Sequence, residues 1–558
     1  MKIFDAVLNG YFGLLILLFV TGGYLPGGDY HRDELVLALS EMGPWVGGFL
    51  LLLLLRHLRD PEGSIGKIAF ARLLRSIGAR LENSPSSVYL VTAIWACLLA
   101  IVAVRRLMAF EAGPDIDIFD QALWNTTQGR SYRSSIVGDV NLLSEHFDPL
   151  ELLLVPFYFI HPSPIILLTV QAFMLALGAI PLYWLARERF PNHLLATLFP
   201  ILYLLYLPLR EANRNDYHPG ALVPPLFFFA LYFMEKSRWR LMIVFLVLAG
   251  LLKENMPIAG ATIGIYLFLA RRERMLGGTL FLFFGLWFYA NFTWIIPAFN
   301  PGGGGYKYFN LFTTFDGTPS GVFLGPLLHP SALFRALAAL AGRKLDYVLQ
   351  VFGPLAFLSF LSPSRLLLGL PFLAQHLFSD ARLMTTIETH HTADLLPFVF
   401  FSALWGASRL LTWLPEHEIL GRRWEPRALS QALAALLLAS SFLFHGTPEV
   451  FYLRRYADTA HHQRIYAALR EIPPGASVSA QPPIAPHLAY RPALYHFPDL
   501  GPASHGEADF VILDERLIRR KTFRRLFVDG VAALPTKGYE KIRDEDGILL
   551  FRKRRDGS

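Results

Sequence analysis

The feature that most constrains this chain is a series of apolar runs that approach the length needed to cross a bilayer, about 20 residues in a helix. Charged residues make up only 17% of the sequence, against about 25% in a typical soluble domain. Together these observations predict an all-α polytopic membrane protein with about 11–13 transmembrane helices. The runs are 6–23, 43–56, 88–108, 164–186, 192–209, 220–235, 240–270, 277–297, 346–361, 364–378, 394–413 and 428–446.

Basic residues concentrate in short segments between the runs, where the positive-inside rule places cytoplasmic loops. These segments are 57–82, 187–189, 236–240, 271–274 and 422–427. The distribution predicts a multi-pass protein of the cell membrane with a cytoplasmic N-terminus and an extracytoplasmic C-terminal region. It also accounts for the net charge of +7 without a nucleic-acid partner, so we expect none.

Two segments depart from the simple pattern of crossings. The run 240–270 is interrupted by Lys253-Glu254-Asn255, and we expect two short half-helices that meet at a polar turn, because charges in the middle of a span are costly. The apolar segment 150–160 is too short to cross, and we expect a helix that lies on the outer membrane surface.

The chain divides into three parts by composition. Residues 1–87 form an N-terminal two-span addition with a basic cytoplasmic segment, and 88–446 form the main transmembrane domain with outer loops 109–163 and 298–345. Residues 447–558 alternate short strand-like runs with a basic amphipathic stretch, which predicts a small extracytoplasmic α/β domain.

Acidic and polar residues collect in the predicted outer loops, close to helix ends. Charged groups at such positions are typical of a functional cavity, and we expect one shared cavity at the outer face. The groups are Asp115, Asp117 and Asp120; Glu145, His146 and Asp148; Arg214, Asp216 and His218; Lys253 and Glu254; and His390 and His391, with Arg105 and Arg106 at a nearby helix end.

Several of these motifs resemble a known family of prokaryotic membrane proteins, domain of unknown function 2079. The resemblance extends from about residue 88 through the tail and gives a fold and a location more than an activity. The motifs are Asp115-Ile-Asp-Ile-Phe-Asp120-Gln121-Ala-Leu-Trp-Asn125, Glu145-His-Phe-Asp-Pro149, Asp216-Tyr-His-Pro219, Leu252-Lys-Glu254, Ser479-Ala-Gln481 and Ala508-Asp-Phe-Val511.

A more distant resemblance is to the multi-spanning GT-C glycosyltransferases. In that layout a first span leads into a large outer loop with an acidic residue, then a surface helix and the next span. The run 88–108, the loop with Asp115, the segment 150–160 and the run 164–186 are similar to it. The resemblance implies transfer of a sugar from a polyprenyl-phosphate carrier to a cell-envelope acceptor at the outer face. This sequence departs from the GT-C pattern because it has no strict Asp-Asp or Asp-Glu pair.

Sugar transfer needs a carboxylate to take the acceptor proton, or a metal or other cation to stabilise the departing phosphate. We therefore predict Asp115, Asp117, Asp120 and Glu145 as catalytic residues. A divalent cation is a candidate cofactor, and lipid and a polyprenyl-phosphate-linked sugar are the expected partners. Predicted ligands for the cation are Asp115, Asp120, Glu145 and His146, and predicted substrate-binding residues are Arg105, Arg106, His146, Asp148, Arg214, Asp216, His218, Lys253, Glu254, His390 and His391.

Three alternatives remain open on the sequence. A transporter or lipid flippase would use the broken helix at 253–255 as its substrate site. A non-catalytic envelope assembly protein would leave the dense polar motifs without a role. The aspartates after Pro114 also fit a simple helix cap.

Overall fold

The computed structural model describes residues 86–190, 193–300, 305–417, 425–446, 456–502, 507–518 and 521–554. The predicted spans 6–23 and 43–56, and the basic segment 57–82, lie outside the described residues. Within the described ranges the chain is mostly helical, with a small sheet near its C-terminal end. This confirms the predicted fold class, a helical multi-pass membrane protein with a C-terminal α/β region.

Five described helices are long and apolar enough to cross a membrane, or six if one bent pair counts as a single span. The bent pair, Lys307–Leu328 with Pro330–Ala338, turns by 98°. Shorter apolar helices pack among the spans. The five are Ser86–Met108, Pro164–Arg189, His193–Arg214, Arg274–Ala298 and Pro426–His445, and the shorter ones are Pro149–Ile160, Pro219–Glu235, Trp239–Gly250 and Pro257–Leu269.

The first half of the described chain contains the following helices. They are α1 (Ser86–Met108), α2 (Ile116–Thr127), α3 (Val155–Ile160, which continues a 3₁₀ turn Pro149–Leu154), α4 (Pro164–Leu177), α5 (Ala179–Arg189), α6 (His193–Leu205), α7 (Leu207–Arg214), α8 (Val223–Glu235), α9 (Trp239–Gly250), α10 (Pro257–Leu269), α11 (Arg274–Ala290) and α12 (Ile296–Ala298). A two-residue antiparallel pair, β1 (Arg133–Ser134) with β2 (Val140–Asn141), lies in the loop after α2.

The second half begins with a 3₁₀ segment at Lys307–Phe315 and ends in the C-terminal domain. Its elements are α13 (Pro319–Leu328), α14 (Pro330–Ala338), α15 (Ala341–Phe352), α16 (Pro363–Leu366), α17 (Leu370–Phe378), α18 (Leu396–Trp413), α19 (Pro426–His445), α20 (Ala460–Arg470), β3 (Val478–Ala480), β4 (Leu494–His496), β5 (Phe510–Asp514), α21 (Lys521–Ala533), β6 (Tyr539–Glu545) and β7 (Ile548–Lys553).

The break predicted within 240–270 is present. Helix α9 ends at Gly250 and α10 begins at Pro257, with Lys253, Glu254 and Asn255 in the connection. Proline at the first helical position lacks the N–H that a helix start leaves unpaired anyway, so it favours a fresh start at this point. The connection thus places three polar side chains at two adjoining helix ends.

The apolar runs 346–361 and 364–378 differ from the prediction of continuous helices. Helix α15 ends at Phe352, and Ala356 and Phe357 adopt positive φ angles of 50° and 57°. The left-handed conformation interrupts a right-handed helix, and short turns and helices follow as far as Phe378. Apolar composition alone therefore did not predict these interruptions.

Helices α10 and α11 approach each other through glycines. A Cβ atom added at Gly264 would lie 2.6 Å from the backbone nitrogen of Phe281 and 2.7 Å from the carbonyl oxygen of Gly277. Between membrane helices there is little hydrophobic driving force, so close backbone contact through small residues is a main source of packing energy. These two glycines set the distance between the helices.

The C-terminal domain is built on a five-stranded sheet in the order β4-β3-β5-β7-β6. Strands β4, β3 and β5 are parallel, and β7 runs antiparallel to β5 and β6. The strand-like runs predicted at 477–480, 510–513, 539–543 and 547–551 form β3, β5 and the hairpin of β6 and β7, whereas the three-residue strand β4 was not predicted. The domain packs against the loop that follows α1: Phe110 joins the same core cluster as Ile465, Val478 and Ile512.

Candidate functional site

A cavity of about 1060 Å³ opens between the loop after α1, the break between α9 and α10, and the segment that follows α12. It contains eight of the polar residues predicted from the sequence, which come from five separate parts of the chain. They are Asp115, Glu145, His146, Asp148, His218, Lys253, His390 and His391. These eight residues therefore lie in one cavity, as predicted for the polar loop residues.

Asp115 is the last residue before α2, and its side chain makes no capping hydrogen bond to that helix. It lines the cavity with 41% of its side chain exposed, and its Oδ2 lies 3.3 Å from Nε2 of His218. Burial would raise the pKa of Asp115, but the hydrogen bond and charge of His218, with His496 and His146, outweigh that effect and lower it. The carboxylate is therefore held ionised and faces the cavity, which a simple helix cap does not explain.

Asp216 fixes the backbone of Asp115 from a distant part of the chain. Its Oδ2 accepts hydrogen bonds from the backbone N–H groups of Asp115 (3.0 Å) and Ile116 (3.2 Å). The contact is tight, because a Cβ atom at Gly113 would lie only 2.8 Å from the same oxygen. Burial, and then the negative charge of Asp115, raise the pKa of Asp216 to about 7. Asp216 therefore acts as the hydrogen-bond acceptor that positions the backbone of Asp115. When it is ionised at high pH, its negative charge disfavours the folded state.

We expect Asp216→Asn to be more stable than the wild type by a margin that grows from pH 5 to pH 8. Asparagine keeps an acceptor oxygen for the two N–H groups. The folded-state pKa of Asp216 is above its unfolded value of 3.8, so wild-type stability is lost as pH rises, by about 1.4 kcal/mol per unit of pKa difference. Thermal unfolding of both proteins across this range measures the margin, and a margin that shrinks with pH would contradict the assignment.

Three histidines line the cavity beside Asp115. The rings of His218 and His390 stack with centroids 3.5 Å apart, and His391 packs on His390 at 4.1 Å. Burial, followed by the positive charge of neighbouring groups, lowers the pKa of both His390 and His391 well below its usual value. These two rings are therefore neutral and can accept or relay hydrogen bonds at the polar end of the cavity.

The break between α9 and α10 brings Lys253 into the cavity and turns Glu254 away from it. Glu254 is fully buried, where it faces His146 Nδ1 at 3.1 Å and accepts from the backbone N–H of Phe147 at 3.1 Å and from the hydroxyl of Tyr306. Lys253 forms no ion pair with any residue in the described ranges. The two neighbours therefore have separate roles: Glu254 holds the Glu145–Asp148 loop, and Lys253 leaves an ammonium group available in the cavity.

A second cationic side chain in the cavity was not predicted from the sequence. Lys307 lies in the 3₁₀ segment after α12, lines the cavity and pairs with Glu145. Beside it, the ring of Tyr308 stacks on His146 with centroids 4.7 Å apart. The sequence signal for this cation is Lys307 itself, a basic residue within the aromatic run Tyr306 to Phe309. A search for clusters of polar residues does not detect it.

Asp117 and Asp120 do not line the cavity, although both were predicted to be catalytic. Their side chains are fully buried on the other sides of α2. Asp117 Oδ2 lies 2.7 Å from His496 Nε2, and Asp120 accepts hydrogen bonds from Tyr158 (2.6 Å) and Tyr490 (3.2 Å). The turn of α2 points these two residues toward α3 and the C-terminal domain, so they lie in the protein interior and not in the shared cavity that the sequence predicted.

The arginines predicted to bind a phosphate also lie outside the cavity lining. Arg105 is exposed, Arg106 donates to the carbonyl of Glu111 at 2.8 Å, and Arg214 pairs with Glu211. Among the described residues no group of three or more His, Cys, Asp or Glu side chains is arranged to hold a metal ion. The four predicted metal ligands are therefore not gathered at one point, and Lys253 and Lys307 are the cations that line the cavity.

The rest of the cavity wall is apolar and aromatic. Helix α11 contributes a stripe that includes Phe281, Gly285 and Phe288, and a Cβ atom added at Gly285 would meet no atom within 4 Å. Residues of α13 and α17, such as Phe323 and Leu370, also line the cavity, and the ring of Phe323 contacts that of Phe288 with centroids 5.1 Å apart. One cavity thus joins a polar end, with Asp115 and two lysines, to a long apolar end.

Comparison with known proteins gives distant structural neighbours and one family. The structure is similar to ArnT from Cupriavidus metallidurans bound to undecaprenyl phosphate, with a TM-score of 0.49 and 11% identity over 85% of this chain and 99% of that chain. The apo state of the same protein gives a TM-score of 0.44 and 10% identity over 84% and 98%. No curated protein matches this sequence. The family model described as "Predicted membrane protein (DUF2079)" matches residues 106–550, which confirms the resemblance found in the motifs, and the chain belongs to that family.

Proposed function

We propose that this protein is a membrane glycosyltransferase that takes a sugar from a polyprenyl-phosphate donor and transfers it to a cell-envelope acceptor. The observation that carries the proposal is the cavity itself, where an ionised carboxylate and an ammonium group without an ion pair among the described residues adjoin an apolar wall. A polyprenyl-phosphate sugar has the matching order of parts, with an apolar chain, an anionic phosphate and a polar sugar. The layout of α1, the loop with Asp115, α3 and α4, which resembles the GT-C arrangement, supports the same function.

The apolar end fits the lipid part of such a donor. The cavity volume of about 1060 Å³ lies at the upper limit of ordinary small-molecule pockets, about 300–1,000 Å³. Helix α11 presents Gly285 between Phe281 and Phe288, which leaves a recess along an aromatic surface. Burial of apolar surface there stabilises the bound lipid by about 25 cal/mol per Å².

The polar end fits the transfer chemistry. An acceptor hydroxyl oxygen attacks the anomeric carbon of the donor, and its proton passes to the carboxylate of Asp115. The bond between that carbon and the phosphate oxygen breaks, and the polyprenyl phosphate leaves with the bonding electrons. The ammonium group of Lys253 stabilises the negative charge that develops on this oxygen, as a preorganised cation does in a site that excludes water.

The proposal includes the orientation and domain division inferred from the sequence. The basic connections between spans support a cavity that opens toward the outer side of the membrane. Residues 447–558 would then form an extracytoplasmic α/β domain, 88–446 the transmembrane domain, and 1–87 a two-span addition with a basic cytoplasmic segment. Reporter fusions at residues 310–340 and after 460 test this arrangement, and a cytoplasmic signal at either site would contradict it.

We expect Lys253→Gln to weaken binding of undecaprenyl phosphate by about 10- to 100-fold, because a hydrogen bond to a charged group contributes about 1.5–3 kcal/mol. Binding of undecaprenol, which lacks the phosphate, should change little. Native mass spectrometry of the full chain in detergent measures both. Lys537→Gln is the matched control, since Lys537 is exposed in the C-terminal domain.

A second variant tests the apolar end of the same cavity. A Cβ atom at Gly285 would meet nothing within 4 Å, so we expect Gly285→Phe to place its ring in the recess and to weaken binding of both undecaprenyl phosphate and undecaprenol. If Lys253→Gln weakens the two lipids equally, Lys253 does not contact the phosphate. If neither lipid binds the wild type, the donor class is wrong.

The break between α9 and α10 supports a second candidate, a lipid flippase or transporter. Discontinuous helices with polar groups at their ends form substrate sites in secondary transporters, and Lys253 lies in such a break on the cavity wall. The two candidates differ in outcome: a flippase moves a labelled polyprenyl-phosphate lipid across a proteoliposome without changing it, whereas a transferase shortens its head group.

A further inference from the structure

A second, smaller pocket lies beside the large cavity and has a different lining. Its volume is about 390 Å³, which is within the range of small-molecule pockets. It is enclosed by α15 on one side and by the segment between α17 and α18 on the other. Unlike the large cavity, it has no long apolar wall, and its lining is mainly charged, amide and hydroxylated side chains.

Helix α15 presents one polar face to this pocket. Arg343, Asp346, Tyr347 and Gln350 follow the i, i+3, i+4, i+7 spacing that places residues on one side of a helix. Leu345 on the opposite side is 60% exposed, as expected of a side chain that faces lipid. The helix thus separates an apolar surface from a polar pocket.

The opposite wall adds Thr385, Thr386 and Glu388. Together with α15 it supplies a guanidinium group, two carboxylates, an amide and two hydroxyls. Sugar hydroxyl groups both donate and accept hydrogen bonds, and carboxylate, amide and guanidinium groups are their natural partners. The set includes both signs of charge, so it suits a neutral, hydroxylated ligand better than a simple anion or cation.

The pocket and the large cavity lie on two sides of one segment. Met384, His390 and His391 line the cavity, whereas Thr385 and Glu388 line the pocket. The floor of the pocket, Tyr347, contacts Thr392 at 3.3 Å, directly after the cavity histidines. A ligand in the pocket is therefore adjacent to the polar end of the cavity, where the acceptor would react.

We propose that this second pocket binds a saccharide unit of the acceptor. The identification of the ligand as the acceptor rests on the proposed transferase function, but saccharide binding at the pocket does not. The pocket would bind a sugar ring of the envelope acceptor next to the segment 384–391, whose other side lines the cavity.

The test is direct binding of soluble sugars to the full chain in nanodiscs, followed by saturation-transfer NMR. The probes are glucose, galactose, mannose, N-acetylglucosamine and glucuronic acid. Two variants change the pocket differently: Asp346→Asn combined with Glu388→Gln removes both negative charges and replaces one acceptor oxygen of each side chain with a donor NH2 group, and Gly342→Phe fills the space. A Cβ atom at Gly342 would meet nothing within 4 Å, so the second variant is expected to fold. Glu416→Gln, at an exposed position outside the pocket, is the matched control.

We expect at least one sugar to show saturation transfer with the wild type and with Glu416→Gln, and at least a fivefold loss in both pocket variants. Absence of an NMR saturation-transfer signal for all five sugars would overturn the proposal. A saturation-transfer signal that survives in Gly342→Phe would also overturn it. Because the measurement needs no donor lipid and no turnover, its result is independent of whether the protein transfers sugar. A positive result in a protein that transfers nothing would leave the pocket assigned as a saccharide site and refute only the transferase.

Discussion

Replacing Asp115 with asparagine is expected to reduce sugar transfer by about 100- to 10,000-fold, the usual contribution of a positioned general base. Asparagine preserves the size and polarity of the side chain but has no basic oxygen to take the acceptor proton. Because the carboxylate contacts His218 and does not form part of the apolar wall, binding of undecaprenyl phosphate should change by less than about threefold. The loss of activity is therefore expected in the turnover rate and not in the binding of the donor lipid.

The measurement is transfer of radiolabelled sugar from a series of polyprenyl-phosphate donors in proteoliposomes. Asp139→Asn is a suitable control, since Asp139 lies in the same loop but forms a partly exposed ion pair with Arg130. Glu145→Gln should have a smaller effect, because Glu145 pairs with Lys307 and is not left free as a base. Transfer at the wild-type rate by Asp115→Asn would refute the assigned base, and movement of intact lipid without transfer would favour the flippase.

The second large effect is on folding. Gly264→Val is expected to destabilise the protein by about 3 kcal/mol or more, toward the upper end of the cost of overpacking a close contact. The new Cβ atom would lie 2.6 Å from the backbone nitrogen of Phe281, and a backbone atom in a helix cannot move aside as a flexible side chain does. The strain would separate α10 from α11, and α11 carries the apolar wall of the cavity.

Gly278→Val provides the matched control for this change. A Cβ atom at Gly278 meets a single side-chain carbon of Phe268 at 3.9 Å, and valine carries the same cost in helix propensity at either position. Size-exclusion chromatography and thermal unfolding of the full chain measure the difference. Equal melting temperatures for the two variants would show that the glycine contact does not set the packing of the helices.

The membrane helices followed from the sequence because apolar length is a property of consecutive residues. The run 88–108 became α1, and the interruption at 253–255 became the connection between α9 and α10. In the second case the physical constraint was strong, since a lysine, a glutamate and an asparagine in mid-span would each require a polar partner. Patterns of this kind are local and predict local structure.

The interruptions after Phe352 were not predicted, although Gly353-Pro354 and Pro363 are helix-breaking signals in the sequence. The residues at positive φ there are Ala356 and Phe357, neither of which is a glycine or an asparagine that would indicate a left-handed turn. Tertiary packing holds them in that conformation. Its origin lies in distant parts of the chain: the carbonyl of Leu358 would lie only 1.9 Å from a Cβ atom at Gly406 in α18, so the turn fits only against a glycine.

The site was predicted in part for the same reason. Motifs along the chain indicated which loops carry the chemistry, and the cavity gathers Asp115, His218, Lys253 and His390 from four of them. Which of the three neighbouring aspartates faces the cavity depends on the phase of α2 and on its packing partners. Asp117 and Asp120 contact His496 and Tyr490, more than 360 residues away, and no local pattern indicates such a contact.

These contacts bear on how the protein is made. The chain is synthesised from its N-terminus, so α2 and its aspartates emerge from the ribosome before His496 and Tyr490 have been synthesised. Until the last part of the chain has been synthesised and folded, Asp117 lacks its imidazole partner, and α2 lacks the C-terminal surface that packs against it. A nascent or truncated chain would therefore carry all the cavity residues without the support that orients them. Full assembly of the site therefore requires the completed polypeptide, and a chain truncated before Tyr490 should lack the C-terminal contacts that hold α2.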